Sequence, residues 1–159
     1  MKGIIKLSFL VSALIGMMFI TGCGEDDPLE SISLSGQIGG QPWTMKYGKA
    51  EVSDSDTRIS AFFFSSESTE ADPCDIFFSG FPSLEARLPK EPGVYSLPFE
   101  SQRESVTFLL ADGSSYISES GQVTISSVTG SVVAGSMTAR FDDGNFAEGS
   151  FALNVCSDE

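Results

Sequence analysis

Between residues 31 and 156 the chain alternates short runs rich in β-branched and aromatic residues with clusters of Gly, Ser, Asp and Pro, and no stretch of ten residues carries a helical apolar period. Alternation punctuated by frequent turn signals restricts the fold to an all-β sandwich or barrel. About nine strands are predicted, at Ser31–Ile38, Trp43–Val52, Arg58–Ser65, Asp75–Gly80, Gly93–Pro98, Ser105–Ala111, Gly121–Val128, Val132–Asp142 and Asn145–Cys156. Ile38-Gly39-Gly40-Gln41-Pro42-Trp43 predicts a tight hairpin, because glycine adopts positive φ without strain and proline stays out of a central ladder. Asp142-Asp143-Gly144-Asn145 predicts a second hairpin. One short helix is expected at Ser83–Leu88, plugging an end of the core. The expected architecture is an antiparallel β-sandwich, with a calycin-like β-barrel as the alternative.

The first 22 residues have a different character. Lys2 and Lys6 precede an apolar run from Leu7 to Ile20 that closes on Ile20-Thr21-Gly22-Cys23. At about 14 residues the run is too short to span a bilayer, which takes roughly 20, and it ends on small residues as an export signal does. The tetrapeptide resembles the lipobox of bacterial lipoproteins. The resemblance implies that residues 1–22 are a signal peptide and that Cys23 receives a diacylglycerol and becomes the first mature residue. Residues 23–30 then read as a lipidated acidic tether and residues 31–159 as a single domain. Gly24 stands where an aspartate would resemble an inner-membrane retention signal, so an outer-membrane site in the cell envelope is favoured.

Lys2 and Lys6 lie in the leader with no acidic residue, so of 9 basic and 22 acidic residues seven and 22 remain, a net charge of −15 on the mature chain. Such a charge opposes nucleic acid and direct docking on an anionic membrane, leaving the lipid on Cys23 as the membrane contact. With Cys23 assigned to lipid, Cys74 and Cys156 form an even pair in an exported chain and are expected to be disulfide-bonded. The chain has no histidine. That removes the usual serine and cysteine hydrolases and most catalytic zinc sites, and leaves carboxylate chemistry as the enzymatic option.

Gly36-Gln37-Ile38-Gly39-Gly40-Gln41-Pro42-Trp43, Gly121-Gln122-Val123-Thr124-Ile125, Val133 to Phe141 and Gly149-Ser150-Phe151 together resemble a broad class of all-β bacterial lipoprotein domains of unknown function. The resemblance implies a β-sandwich on a lipid tether and supplies no catalytic residues.

Phe62-Phe63-Phe64 and Ile76-Phe77-Phe78 are the densest apolar segments. Consecutive strand residues point to opposite faces, so one face enters the core and the other needs a cover, a ligand or a partner. Phe62, Phe63, Phe64, Phe77 and Phe78 are therefore candidates for a face that takes a protein or a small apolar ligand. Asp142, Asp143 and Asn145 could supply oxygens to calcium, although the hairpin explains the same residues and no cofactor is expected. Trp43, Tyr47, Tyr95 and Tyr116 could stack on sugars, but Trp43 stands where a large side chain anchors a core. The expected function is that of a binding or structural module without catalysis. The alternatives are a carboxylate enzyme such as a glycoside hydrolase and a barrel carrying a small apolar ligand.

Overall fold

The computed structural model describes residues 33–52, 56–65, 73–75, 82–101 and 103–156. The segments expected to be signal peptide and tether, with Cys23, lie outside the described residues, as do Phe77, Phe78 and the strand expected at Asp75–Gly80 beyond Asp75. The chain is all-β. Its strands are β1 (Ser35–Ile38), β2 (Gln41–Thr44), β3 (Tyr47–Val52), β4 (Arg58–Phe64), β5 (Ser83–Pro89), β6 (Gly93–Leu97), β7 (Ser105–Leu109), β8 (Ser115–Ile117), β9 (Ser120–Val128), β10 (Val132–Asp142) and β11 (Asn145–Cys156). Among the described residues one 3-10 turn, Pro73–Asp75, carries Cys74.

All eleven strands belong to one mixed sheet, ordered β6-β9-β10-β11-β3-β4-β5-β7-β8, with the β1–β2 hairpin attached to β11. The sheet curls so that one face of every long strand contributes to a common core, including Ile59, Phe63, Leu84, Phe108, Val123, Val133 and Leu153. Each of these fully buried side chains contributes about 1.5–3 kcal/mol by leaving water. Phe63 meets Phe151 edge-to-face across this interior, with ring centres 5.4 Å apart. Trp43 is buried, and its Nε1 donates to the Pro82 carbonyl at 3.1 Å. It is a core anchor.

Curling follows from chain reach. β8 ends one side of the sheet, while β9 lies next to the opposite end, yet only Ser118 and Glu119 join them. Three Cα steps span at most about 11 Å, so the two ends of the sheet must nearly meet there. The ladder changes partner within those two residues: Ser118 N donates to Val106 O of β7 at 2.8 Å, and Glu119 N donates to Arg140 O of β10 at 2.9 Å. The buried Ser118 hydroxyl accepts from Arg140 N at 3.0 Å and lies within reach of the Ser120 carbonyl. The result is an incomplete barrel with one seam, closer to the barrel alternative than to two separate sheets.

Three local expectations change. Ser83–Leu88 is strand, not helix: Leu84, Ala86 and Leu88 point inward and Glu85 and Arg87 outward, a period of two imposed by β4 on one side and β7 on the other. The run Trp43–Val52 divides at Met45–Lys46, because the chain steps across the sheet there. Met45 N still bonds to Leu34 O at 2.8 Å, whereas Lys46 N bonds to Phe64 O at 2.7 Å. The step is needed because β11 pairs with β10 along one edge and shares its other edge, Phe146–Glu148 taking β1 and Asn154–Cys156 taking β3 in parallel. β8 is an additional strand beyond those expected from the sequence.

Both predicted hairpins form. Gly39 and Gly40 have φ of 62° and 73°, the paired positive values that a two-residue turn between antiparallel strands requires.

Candidate functional site: the barrel seam

Two connections bracket the seam. Residues 98–104 carry the chain from β6 to β7, and Ser118–Glu119 carry it from β8 to β9, so both cross between the ends of the sheet. Between them lies a groove of about 370 Å³, at the small end of the range for ligand sites. Leu97, Pro98, Phe99, Val106 and Ile117 supply apolar surface, and Arg87, Ser101, Arg103, Glu104, Ser105 and Ser118 supply polar groups. Pro98, Ile117 and Ser118 also line a shallower depression with Tyr116 and Phe141, whose rings stack with centres 4.7 Å apart. Ile117 is 59% exposed, unusual for isoleucine on a strand.

Nearby charges separate into paired and available groups. Arg58 Nε and Nη2 each donate to one Asp56 carboxylate oxygen at 2.9 Å, a two-pronged pair, and Nη1 reaches Arg103 O at 3.4 Å. Hydrogen bonding from Arg58 holds the Asp56 carboxyl below its usual range. Among the described residues, neither the Arg87 nor the Arg103 guanidinium forms a salt bridge, and both residues are exposed. Glu85, two residues before Arg87 on the same face, is raised above the ordinary glutamate range by burial, against an opposing pull from Arg87.

Comparison with protein families, with curated proteins and with solved structures gave no match.

The residues singled out from the sequence fall in separate places. Phe63 is in the core, fully buried. Phe64 is buried on the opposite face and stacks on Tyr47 at 4.9 Å. Phe62, half-buried with Lys49 Nζ 5.5 Å from its ring centre, lines a polar groove with Glu85 and Thr107. A strand cannot gather three consecutive side chains on one face. Cys74 and Cys156 are bonded, with Cα atoms 5.6 Å apart. Asp142 Oδ1 accepts from Gly144 N and Asn145 Nδ2, both at 2.9 Å, Asn145 Oδ1 accepts from Gly39 N, and Asp143 pairs with Arg140 at 3.1 Å. These oxygens already serve the hairpin. Among the described residues no three Asp, Glu, Cys or His side chains gather as metal ligands.

The groove residues were missed because they come from three separate stretches, at Arg87, between Leu97 and Val106, and at Ile117–Ser118. The one available signal was Ile117, an apolar residue in a Ser- and Gly-rich stretch that no periodicity buries.

Proposed function

We propose that this protein is a lipid-anchored binding module of the bacterial cell envelope, held through Cys23 and working without catalysis, and that the seam groove is its binding site. The observation that carries the reading is the groove itself: apolar side chains left open to solvent beside polar groups, where the rolled sheet fails to close. An exposed isoleucine next to a stacked aromatic pair is surface that gains free energy by being covered. Glycoside hydrolysis takes two opposed carboxyl groups, and among the described residues this groove is lined by one, Glu104. The lipobox-like tetrapeptide supports the anchor. A tether of residues 24–30, at most about 25 Å when extended, keeps the domain close to the membrane surface.

Titration of the isotopically labelled mature chain with octyl glucoside, followed by amide chemical shifts, tests the site. Shifts are expected at Phe99, Ile117 and Ser118, and Ile117→Glu should remove them. Shifts confined to other surfaces would reject the groove as the binding site.

A further inference from the structure

We infer that the seam groove takes a single-chain anionic amphiphile, with its headgroup between Arg87 and Arg103 and its apolar chain against Phe99 and Ile117. The inference rests on reading the groove as the binding site and adds the chemistry of its occupant. The full chain carries a net charge of −13, which disfavours anions at long range. At physiological ionic strength, however, charges more than about 8 Å apart are largely screened, so nearby groups decide what a groove accepts.

The nearby groups favour an anion. Among the described residues that line this groove, the guanidiniums of Arg87 and Arg103 stand against the carboxylate of Glu104, with Glu85 acting on Arg87 from the same strand face and Glu119 lining the adjoining depression. Arg58 is itself occupied by Asp56 and braces the backbone of Arg103. Guanidinium groups present planar donor pairs that match carboxylate and phosphate oxygens. The apolar surface of the groove, at Pro98 and Phe99, continues over Ile117 to Tyr116 and Phe141. A polar end in the groove and an apolar track in the depression that shares Pro98, Ile117 and Ser118 with it match a molecule built the same way.

The test compares octanoate, octyl phosphate, octyl glucoside, octyltrimethylammonium and inorganic phosphate on the mature chain, with affinities from amide shifts of groove residues. Octanoate and octyl phosphate are expected to bind about tenfold more tightly than octyl glucoside, a difference of about 1.4 kcal/mol. Their advantage should shrink as salt is raised. Arg87→Gln combined with Arg103→Gln should bring the ratio of anionic to neutral affinity close to one, with thermal unfolding run alongside to establish that the variant is folded. Equal affinity for octanoate and octyl glucoside, or a preference for octyltrimethylammonium, would overturn the anionic assignment and leave the groove as a binding site. Inorganic phosphate binding as tightly as octyl phosphate would overturn the role of the chain. If no probe moved the groove amides, this inference and the function it rests on would both fall.

Discussion

The backbone N–H of Gly39 donates to Oδ1 of Asn145 at 2.9 Å, joining residues 106 positions apart. Next to it Gly40 N donates to Gly144 O at 2.9 Å. The tips of the β1–β2 and β10–β11 hairpins are thus fastened together, and the buried Asn145 side chain is the fastener.

Asn145→Ala should therefore cost about 1–3 kcal/mol, because it leaves the Gly39 donor without its acceptor. Urea unfolding measures it. Asp143→Ala should stay within about 0.5 kcal/mol, since its pair with Arg140 is exposed. Equal losses at both positions would refute the hairpin lock.

The phenylalanine run should give three different values. Phe63→Ala removes a fully buried ring from the core and is expected to cost about 3–5 kcal/mol. Phe62→Ala, on the outer face and half-buried, should cost less than half of that, because less apolar surface returns to water. Phe64→Ala should fall between them through loss of its stack with Tyr47. Chemical denaturation of the three variants checks the order.

The disulfide closes a separation of 82 residues, worth about 4 to 5 kcal/mol in the loop-closure description. Paired Cys74→Ser and Cys156→Ser substitutions should lower stability by about 2–5 kcal/mol and lower the thermal midpoint more than any surface change. An unchanged midpoint would mean that the bond does not constrain the unfolded chain.

Glu85 gives a pH dependence with a definite sign. Its folded-state value is raised by burial, so protonation favours the folded state, and this contribution is fully present below the ordinary glutamate range and lost as pH rises through the raised value. Glu85→Gln should accordingly be more stable than the parent chain at neutral pH, with the gap closing as pH falls below the ordinary range. Denaturation midpoints across pH would show it, and a gap that widens on acidification would contradict the burial argument.

For the anchor, mass spectrometry of the membrane fraction should find diacylglycerol on Cys23, and Cys23→Ser should release the chain or leave it unprocessed. A mature protein that still begins at Met1 would end the envelope reading.

Features set by local stereochemistry were legible in advance. Gly39-Gly40 and Asp142 to Asn145 are turns because few other residues tolerate the backbone they need, and β10 and β11 run between the limits expected of them. Features set by neighbours were not. Glu85-Ala86-Arg87 has helical propensity, flanked by Pro82 and Pro89, yet pairing on both sides overrides it. Met45 and Lys46 look like uninterrupted strand, and only the divided edge of β11 explains the break. The groove was invisible for a related reason: Arg87, the β6–β7 connection with Phe99 and Arg103, and Ile117 are separated in sequence and meet where Ser118 brings the ends of the sheet together.

β11, the last strand of the domain in sequence, is also the strand that joins its two halves, with β10 on one edge and both β1 and β3 on the other. In a polypeptide emerging amino end first, β3-β4-β5-β7-β8 and β6-β9-β10 can pair within themselves but are joined through β11 only when this segment arrives. Partial products, however long, are left with unpaired edges and open apolar faces, the condition in which chains aggregate or require a chaperone. Because β11 also supplies Cys156, covalent closure and completion of the sheet depend on the arrival of the same twelve residues. Completion of the sheet waits on β11.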